Sequence, residues 1–148
     1  MRKIQPEELH DFYSLIGEAI YSLHYLESSL HKILSIHIDF KDKAVSKAAA
    51  EKVLERYRKK TLGDLIKLSE NHSLFDKKII NKLQHINSER RWLVHRMYED
   101  TEYRLSNDYT ARLKINSRIT ELTEAIFVLH RELTDWQMNT MSSQDLNS

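Results

Sequence analysis

The sequence predicts an all-α protein, an up-and-down bundle of four long helices plus a short one. Three observations carry this reading. The chain has Gly 2 and Pro 1 in 148 residues, whereas hairpins, tight turns and phosphate-cradling loops all draw on glycine. Charged residues make up 30% and hydrophobic residues 41%, a mixture that suits amphipathic helices around an apolar core. Apolar residues also recur at three- and four-residue steps over long stretches, which is the repeat of one helix face.

Helix one is expected from Pro6 to Phe40. Pro6 fits the first turn, and Glu7 and Glu8 fit the positive end of the dipole. At about 100° per residue, Leu9, Phe12, Tyr13, Ile16, Ile20, Leu23, Leu30, Leu34 and Ile38 share a face. Glu27 falls at the centre of that face, while Leu26 and Ile33 lie to one side. Lys41 to Lys47 is a polar connection. Helix two follows from about Ala44 to Lys60, ending in the basic run Glu55-Arg56-Tyr57-Arg58-Lys59-Lys60. That run suits a solvated helix end, where cations favour the dipole; the functional alternative is a patch contacting an RNA backbone. Thr61-Leu62-Gly63-Asp64 is a capping box opening a short helix through about Glu70.

Helix three is expected from Leu74 to Asp100, with Ile79, Leu83, Ile86, Leu93 and Met97 on one face and Arg90 at its centre. Glu102 to Asp108 connects it to helix four, which runs to Asn139 on Leu113, Ile115, Ile119, Leu122, Ile126, Leu129, Leu133 and Trp136. Residues 1–139 therefore form one helical domain, and 140–148 a disordered polar tail. An isolated charge inside an apolar stripe is costly, so Glu27 and Arg90 are expected to pair between helices one and three.

Chemistry concentrates in Ser88-Glu89-Arg90-Arg91-Trp92-Leu93-Val94-His95-Arg96-Met97-Tyr98. Arg91 lies four residues before His95, nearly above it on a helix, and Arg96 and Tyr98 follow within a turn. An imidazole handles protons near neutral pH, and guanidinium groups suit a phosphate and its developing charge. Phosphodiester cleavage without a metal needs both. Spacing alone is a weak signal here, because the chain has 8 histidines and 23 Lys plus Arg.

Arg90-Arg91-Trp92-Leu93-Val94-His95 resembles the Arg-x4-6-His motif of HEPN (higher eukaryotes and prokaryotes nucleotide-binding) domains, carried on the third long helix of an all-α bundle. Leu26-Glu27-Ser28-Ser29-Leu30 and Lys60-Thr61-Leu62-Gly63-Asp64-Leu65-Ile66 resemble the superfamily more loosely. The order of elements matches from about residue 8 to 138. The resemblance implies a HEPN-like homodimer whose two motifs meet in a composite cleft. It also implies a metal-independent endoribonuclease of a toxin–antitoxin or phage-defence system, leaving 2′,3′-cyclic phosphate ends. Arg90 and His95 would be the catalytic pair, Arg91, Arg96 and Tyr98 would bind RNA, and Glu27 would support the structure. Two departures stand out. Arg91 replaces the usual Asn, and Met97 occupies the position where some toxin members carry a Tyr, which comes one later as Tyr98. Arg90 facing inward against Glu27 is compatible with catalysis if that face opens onto the dimer cleft; otherwise Arg90 is structural and Arg91 is the solvent-facing cation.

The alternatives are a non-catalytic HEPN-like interaction or sensor module that binds a protein partner, and an unrelated bundle acting as an antitoxin or scaffold. An uncompensated basic cleft favours the ribonuclease; one closed by Glu89, Glu99 and Asp100 favours the module, because carboxylates repel RNA. Cys 0 removes disulfides, thiol catalysis and cysteine-ligated zinc. His10, His37, His72, His85 and His130 lack metal-ligand spacing, so no metal and no cofactor are expected. His24 and His31 read as packing residues near the inner edge of helix one, Trp136 as core or dimer surface, and Trp92, nearly opposite the apolar stripe, as dimer surface. No apolar run approaches the roughly 20 residues of a membrane span. The start leads into a polar helix without a signal peptide, so a cytoplasmic protein is expected. The partners that the resemblance implies are RNA, a second copy of the chain, and a neutralising antitoxin or other protein. With a net charge of +1, RNA binding must come from a local patch.

Overall fold

A computed structural model describes residues 4–40, 46–101 and 108–146. Among these residues there are five helices and no strand. α1 spans Pro6–Leu34 and runs into a π-helical turn, Ser35–Asp39. α2 spans Lys47–Arg58, α3 Leu62–Asn71 and α4 Lys77–Arg91. α4 continues through a second π-helical turn, Trp92–Arg96, into helical residues 97–101. α5 spans Tyr109–Leu146. Residues 41–45 and 102–107, in the two expected connections, lie outside the described residues, as do 147 and 148.

Side-chain acceptors fix the helix starts, because the first amides of a helix have no partner within it. Ser46 Oγ accepts from Ala49 N at 3.2 Å, Asp76 Oδ1 from Ile79 N at 2.9 Å, and Asp108 Oδ1 from Thr110 N at 3.0 Å. Thr61 and Asp64 form the expected capping box, at 3.2 and 3.1 Å. The caps place two starts later than expected. α2 begins after Ser46 rather than at Ala44, and α4 after Asp76 rather than at Leu74. At the other end of the chain, α5 does not stop at Asn139. No glycine or proline follows Trp136, Thr140 Oγ1 donates to the Trp136 carbonyl at 2.8 Å, and the helix carries on to Leu146 instead of giving way to a disordered tail at 140.

α1 and α5 run parallel. Arg112 meets Glu8 at one end of the pair, at 3.7 Å, and the His37 and Trp136 rings meet at the other, 4.9 Å apart. α4 is antiparallel to α5, since Lys82 pairs with Glu132 and Arg118 with Glu89. α3 lies antiparallel to α4, with Gln84 donating to Glu70 at 3.0 Å. Around the bundle the order is α1, α5, α4, α3, with α2 packed on α1 and its π turn. α1 and α4 are therefore diagonal.

The core is a seam of buried residues in steps of three and four. α1 supplies Ala19, Leu23, Leu26, Leu30 and Ile33; α5 supplies Ile115, Ile119, Leu122, Ile126, Leu129 and Leu133. Each leucine withdrawn from water contributes about 1.5–3 kcal/mol. The seam corrects the expected face of α1. Leu26 and Ile33 are central to it, whereas Tyr13 is 62% exposed and Ile20 also faces out. Phe75 and the half-buried Trp136, ring centroids 4.8 Å apart, close the far end, so Trp136 is a core residue.

The expected Glu27–Arg90 ion pair does not form. The two residues sit on diagonal helices and both are only half-buried, so neither incurs the full cost that made pairing necessary. Arg90 Nε donates instead to Asn87 Oδ1 at 3.2 Å. The buried cation the sequence reading missed is Arg112, held by Glu8.

His31 lies where α1 meets the corner between α2 and α3, and its Nε2 is buried without a hydrogen-bond partner. Burial pushes its pKa below the ordinary histidine value; a hydrogen bond with the Lys60 backbone opposes this and the Arg58 charge adds to it. Because the folded pKa is depressed, the stability His31 contributes is present above its unfolded pKa and is lost as pH falls through the folded one. Urea denaturation of wild type should show stability falling from neutral pH toward the acidic side of the histidine range, and His31→Asn should flatten that slope. Equal slopes would refute the assignment.

Candidate functional site

The site is built on the end of α4. A π-helical turn closes hydrogen bonds from i to i+5, and such turns concentrate at functional sites. Here the Met97 amide reaches the Trp92 carbonyl. In a regular α-helix, Arg90 and His95 would be about 140° apart; an underwound turn between them narrows that angle. Leu93 is buried, and Met97 and the buried Thr101 follow it at four-residue steps, so this side of the segment still faces the core.

Trp92 is 6% exposed, which overturns its expected place on a dimer surface. Its Nε1 donates to Asp100 Oδ2 at 2.9 Å, and the Arg118 guanidinium covers its ring 3.8 Å from the centroid. Arg118 also donates to both Glu89 oxygens, at 2.7 and 2.9 Å. These bonds hold the Glu89 carboxyl below the usual carboxylate range, and the same pairing raises Arg118. Of the three carboxylates named as closing the cleft, Glu89 is thus engaged by Arg118 of α5 and Asp100 by the Trp92 indole.

The opposite side of α4 is open. Arg91, His95 and Arg96 are exposed and make no ion pair or side-chain hydrogen bond with any described residue. Val94 is 54% and Tyr98 68% exposed, giving this cationic face an apolar edge. Glu99 is exposed as well. Arg90 stands apart, half-buried and tethered to Asn87. Within one chain the structure therefore brings together Arg91, His95, Arg96 and Tyr98 as neighbours on one segment. It joins Arg90 to them through the turn and leaves Glu27 across the bundle.

Asn87 escaped the sequence reading. It is 8% exposed and continues the line of Ile80 and Leu83 by a step of four, a polar interruption of an apolar flank that could have marked it. Arg118 was also missed, because its role depends on contacts across to α4. The basic run ending α2 is partly neutralised, Arg58 by Glu55 at 3.3 Å and Arg56 by Asp39 at 3.9 Å. Among the described residues, no group of three or more His, Asp or Glu side chains could hold a metal, and no helix is long and apolar enough to cross a membrane. The chain matches no protein-family model, no curated protein and no solved structure.

Proposed function

We propose that the protein is a metal-independent endoribonuclease of the HEPN type, working as a homodimer in which two α4 segments face each other. The observation that supports this best is the exposed set of Arg91, at the end of α4, and His95 and Arg96, on the π-helical turn, none of them ion-paired with a described residue. The His95 imidazole takes the proton from a ribose 2′-hydroxyl. The 2′-oxygen attacks phosphorus, the 5′-oxygen leaves with a proton, and the products carry a 2′,3′-cyclic phosphate and a 5′-hydroxyl. A second copy supplies a second imidazole, so one can act as base and the other as acid. Arg91 and Arg96 hold the phosphate, Tyr98 offers a ring to a base, and Arg90, fixed by Asn87, steadies the turn. A toxin–antitoxin or phage-defence setting, with a neutralising protein partner, suits such an activity, as does a cytoplasmic location. Cleavage of a mixed RNA pool in EDTA by wild type, lost in folded His95→Ala, is the expected result; equal cleavage by both would overturn the reading.

A second reading, a non-catalytic helical interaction module, is favoured by the outward face of α1. His10, Tyr13, Ser14, Gly17, Ile20, Tyr21, His24 and Ser28 follow one another along it, with no formal charge in a chain that is 30% charged. Gly17 sits mid-helix, where it costs up to about 1 kcal/mol relative to alanine, and a side chain there would meet nothing within 4 Å. The two readings use different faces, so light scattering separates them. The ribonuclease reading expects a dimer that Tyr98→Glu dissociates and Gly17→Arg leaves intact. The reverse pattern would transfer the interface to α1.

A further inference from the structure

The segment Thr61-Leu62-Gly63-Asp64 has no part in the chemistry above, yet it packs directly against the motif helix. Gly63, in the first turn of α3, faces Asn87 and Arg91. A Cβ built there would stand 3.5 Å from Asn87 Nδ2 and 3.9 Å from the Arg91 guanidinium. The missing side chain leaves an open cleft of about 430 Å³ between α3 and α4.

Asn87 gives the cleft its character. The side chain is nine-tenths buried, and the bond from Arg90 Nε fixes its Oδ1, so the amide nitrogen is the end directed at Gly63. That nitrogen has no acceptor among the described residues. Arg91 adds further donors from the same wall. Asp64 faces them as an acceptor; its Oδ2 takes the Thr61 amide in the capping box, and the hydrogen bonds from Thr61 hold its carboxyl below the usual range. Charge argues against a simple anion site. Arg91 and Lys67 are matched by Asp64 and Glu70, all lining the cleft, and Asp64 already occupies the helix N-terminus that a phosphate would seek.

Donors on one wall and a carboxylate on the other suit an uncharged planar ligand that carries both complements. We propose that this cleft binds a guanine base of single-stranded RNA, beside the phosphate held at His95; the assignment rests on the ribonuclease reading. Guanine offers N1–H and N2–H to Asp64, and O6 and N7 to Arg91 and Asn87. Adenine presents an acceptor at N1, which would oppose the carboxylate. Cytosine and uracil lack the second ring needed to span the walls.

The test is amide chemical-shift titration of the full chain with GMP, AMP, CMP, UMP and inorganic phosphate. GMP should move the signals of Gly63, Asp64, Asn87 and Arg91 and bind about tenfold tighter than AMP, the discrimination of one good bidentate contact. Gly63→Leu, checked for helicity, should abolish that binding, and Asp64→Asn, which keeps a capping acceptor, should erase the preference over AMP. Equal shifts from all four nucleotides, the same shifts from phosphate alone, or unchanged GMP binding in folded Gly63→Leu would overturn the proposal. The readout does not need turnover. GMP binding without RNA cleavage would defeat the ribonuclease reading alone, and cleavage without guanine binding or preference would defeat the guanine assignment alone.

Discussion

Trp92→Ala is expected to destabilise the protein by about 3–5 kcal/mol, the range for removing a buried aromatic side chain. That is a large share of the roughly 5–15 kcal/mol that holds a domain together. The indole does three jobs at once: it fills space behind the π turn, donates to Asp100, and carries the Arg118 guanidinium on its face. Its loss opens a cavity and leaves Asp100 and Arg118 without it, and Arg118 is the group that restrains Glu89. Trp92→Phe keeps most of the ring but loses the hydrogen bond, so it should cost nearer to 1 kcal/mol plus a packing term. Urea denaturation measures both. If Trp92→Ala unfolds with the wild-type midpoint and slope, the indole is not the anchor described above.

The largest effect on activity is expected at His95. If its imidazole moves the 2′-hydroxyl proton, His95→Ala should lower kcat by about 10²–10⁴-fold, the usual worth of a positioned general base. The side chain is exposed and bonded to no described residue, so the variant should keep wild-type stability. Arg91→Ala should behave differently. Arg91 both holds phosphate and faces the Gly63 cleft, so its loss should weaken binding across RNA sequences, lower the salt dependence of affinity by about one phosphate contact and relax any preference for guanine. Arg90→Ala should affect both activity and stability, because it releases Asn87 as well. Single-turnover and steady-state kinetics at several salt concentrations separate the three. A His95→Ala enzyme that changes KM and leaves kcat untouched would remove the imidazole from the chemistry.

The fold was legible because helices write their neighbours into the sequence as steps of three and four. α5 shows this most plainly, with Ile115, Ile119, Leu122, Ile126, Leu129 and Leu133 all buried as expected, although Leu113, expected on the same face, is 48% exposed. α1 was harder. Tyr13 and Ile20 are apolar enough to pass for core residues, and only the position of α5 decides that Leu26 and Ile33 are buried in their place. Trp92 failed for a related reason. Its angle on an ideal helix points outward, but Arg118, on another helix, folds over it. The pairing of Glu27 with Arg90 assumed that two polar interruptions of two stripes must meet, whereas helices across a diagonal do not bring their stripes together. The π turns leave little trace in residue type, so the real relation between Arg90 and His95 was hidden. The cationic face itself was readable, since Arg91, His95, Arg96 and Tyr98 lie within eight residues of one another. The cleft at Gly63 was not, because it exists only where α3 crosses α4.

The parallel α1–α5 seam has a consequence for synthesis. Ser29 and His130, which bond across it, are 101 residues apart. At about 5–20 residues per second, the ribosome needs several seconds or more to make that span. Throughout that time the apolar stripe of α1 has emerged without the helix that covers it. Most helical bundles close through near neighbours and fold fast; here the pairing of α1 with α5 carries a long-range closure cost. Truncation within α5 would leave that stripe permanently uncovered.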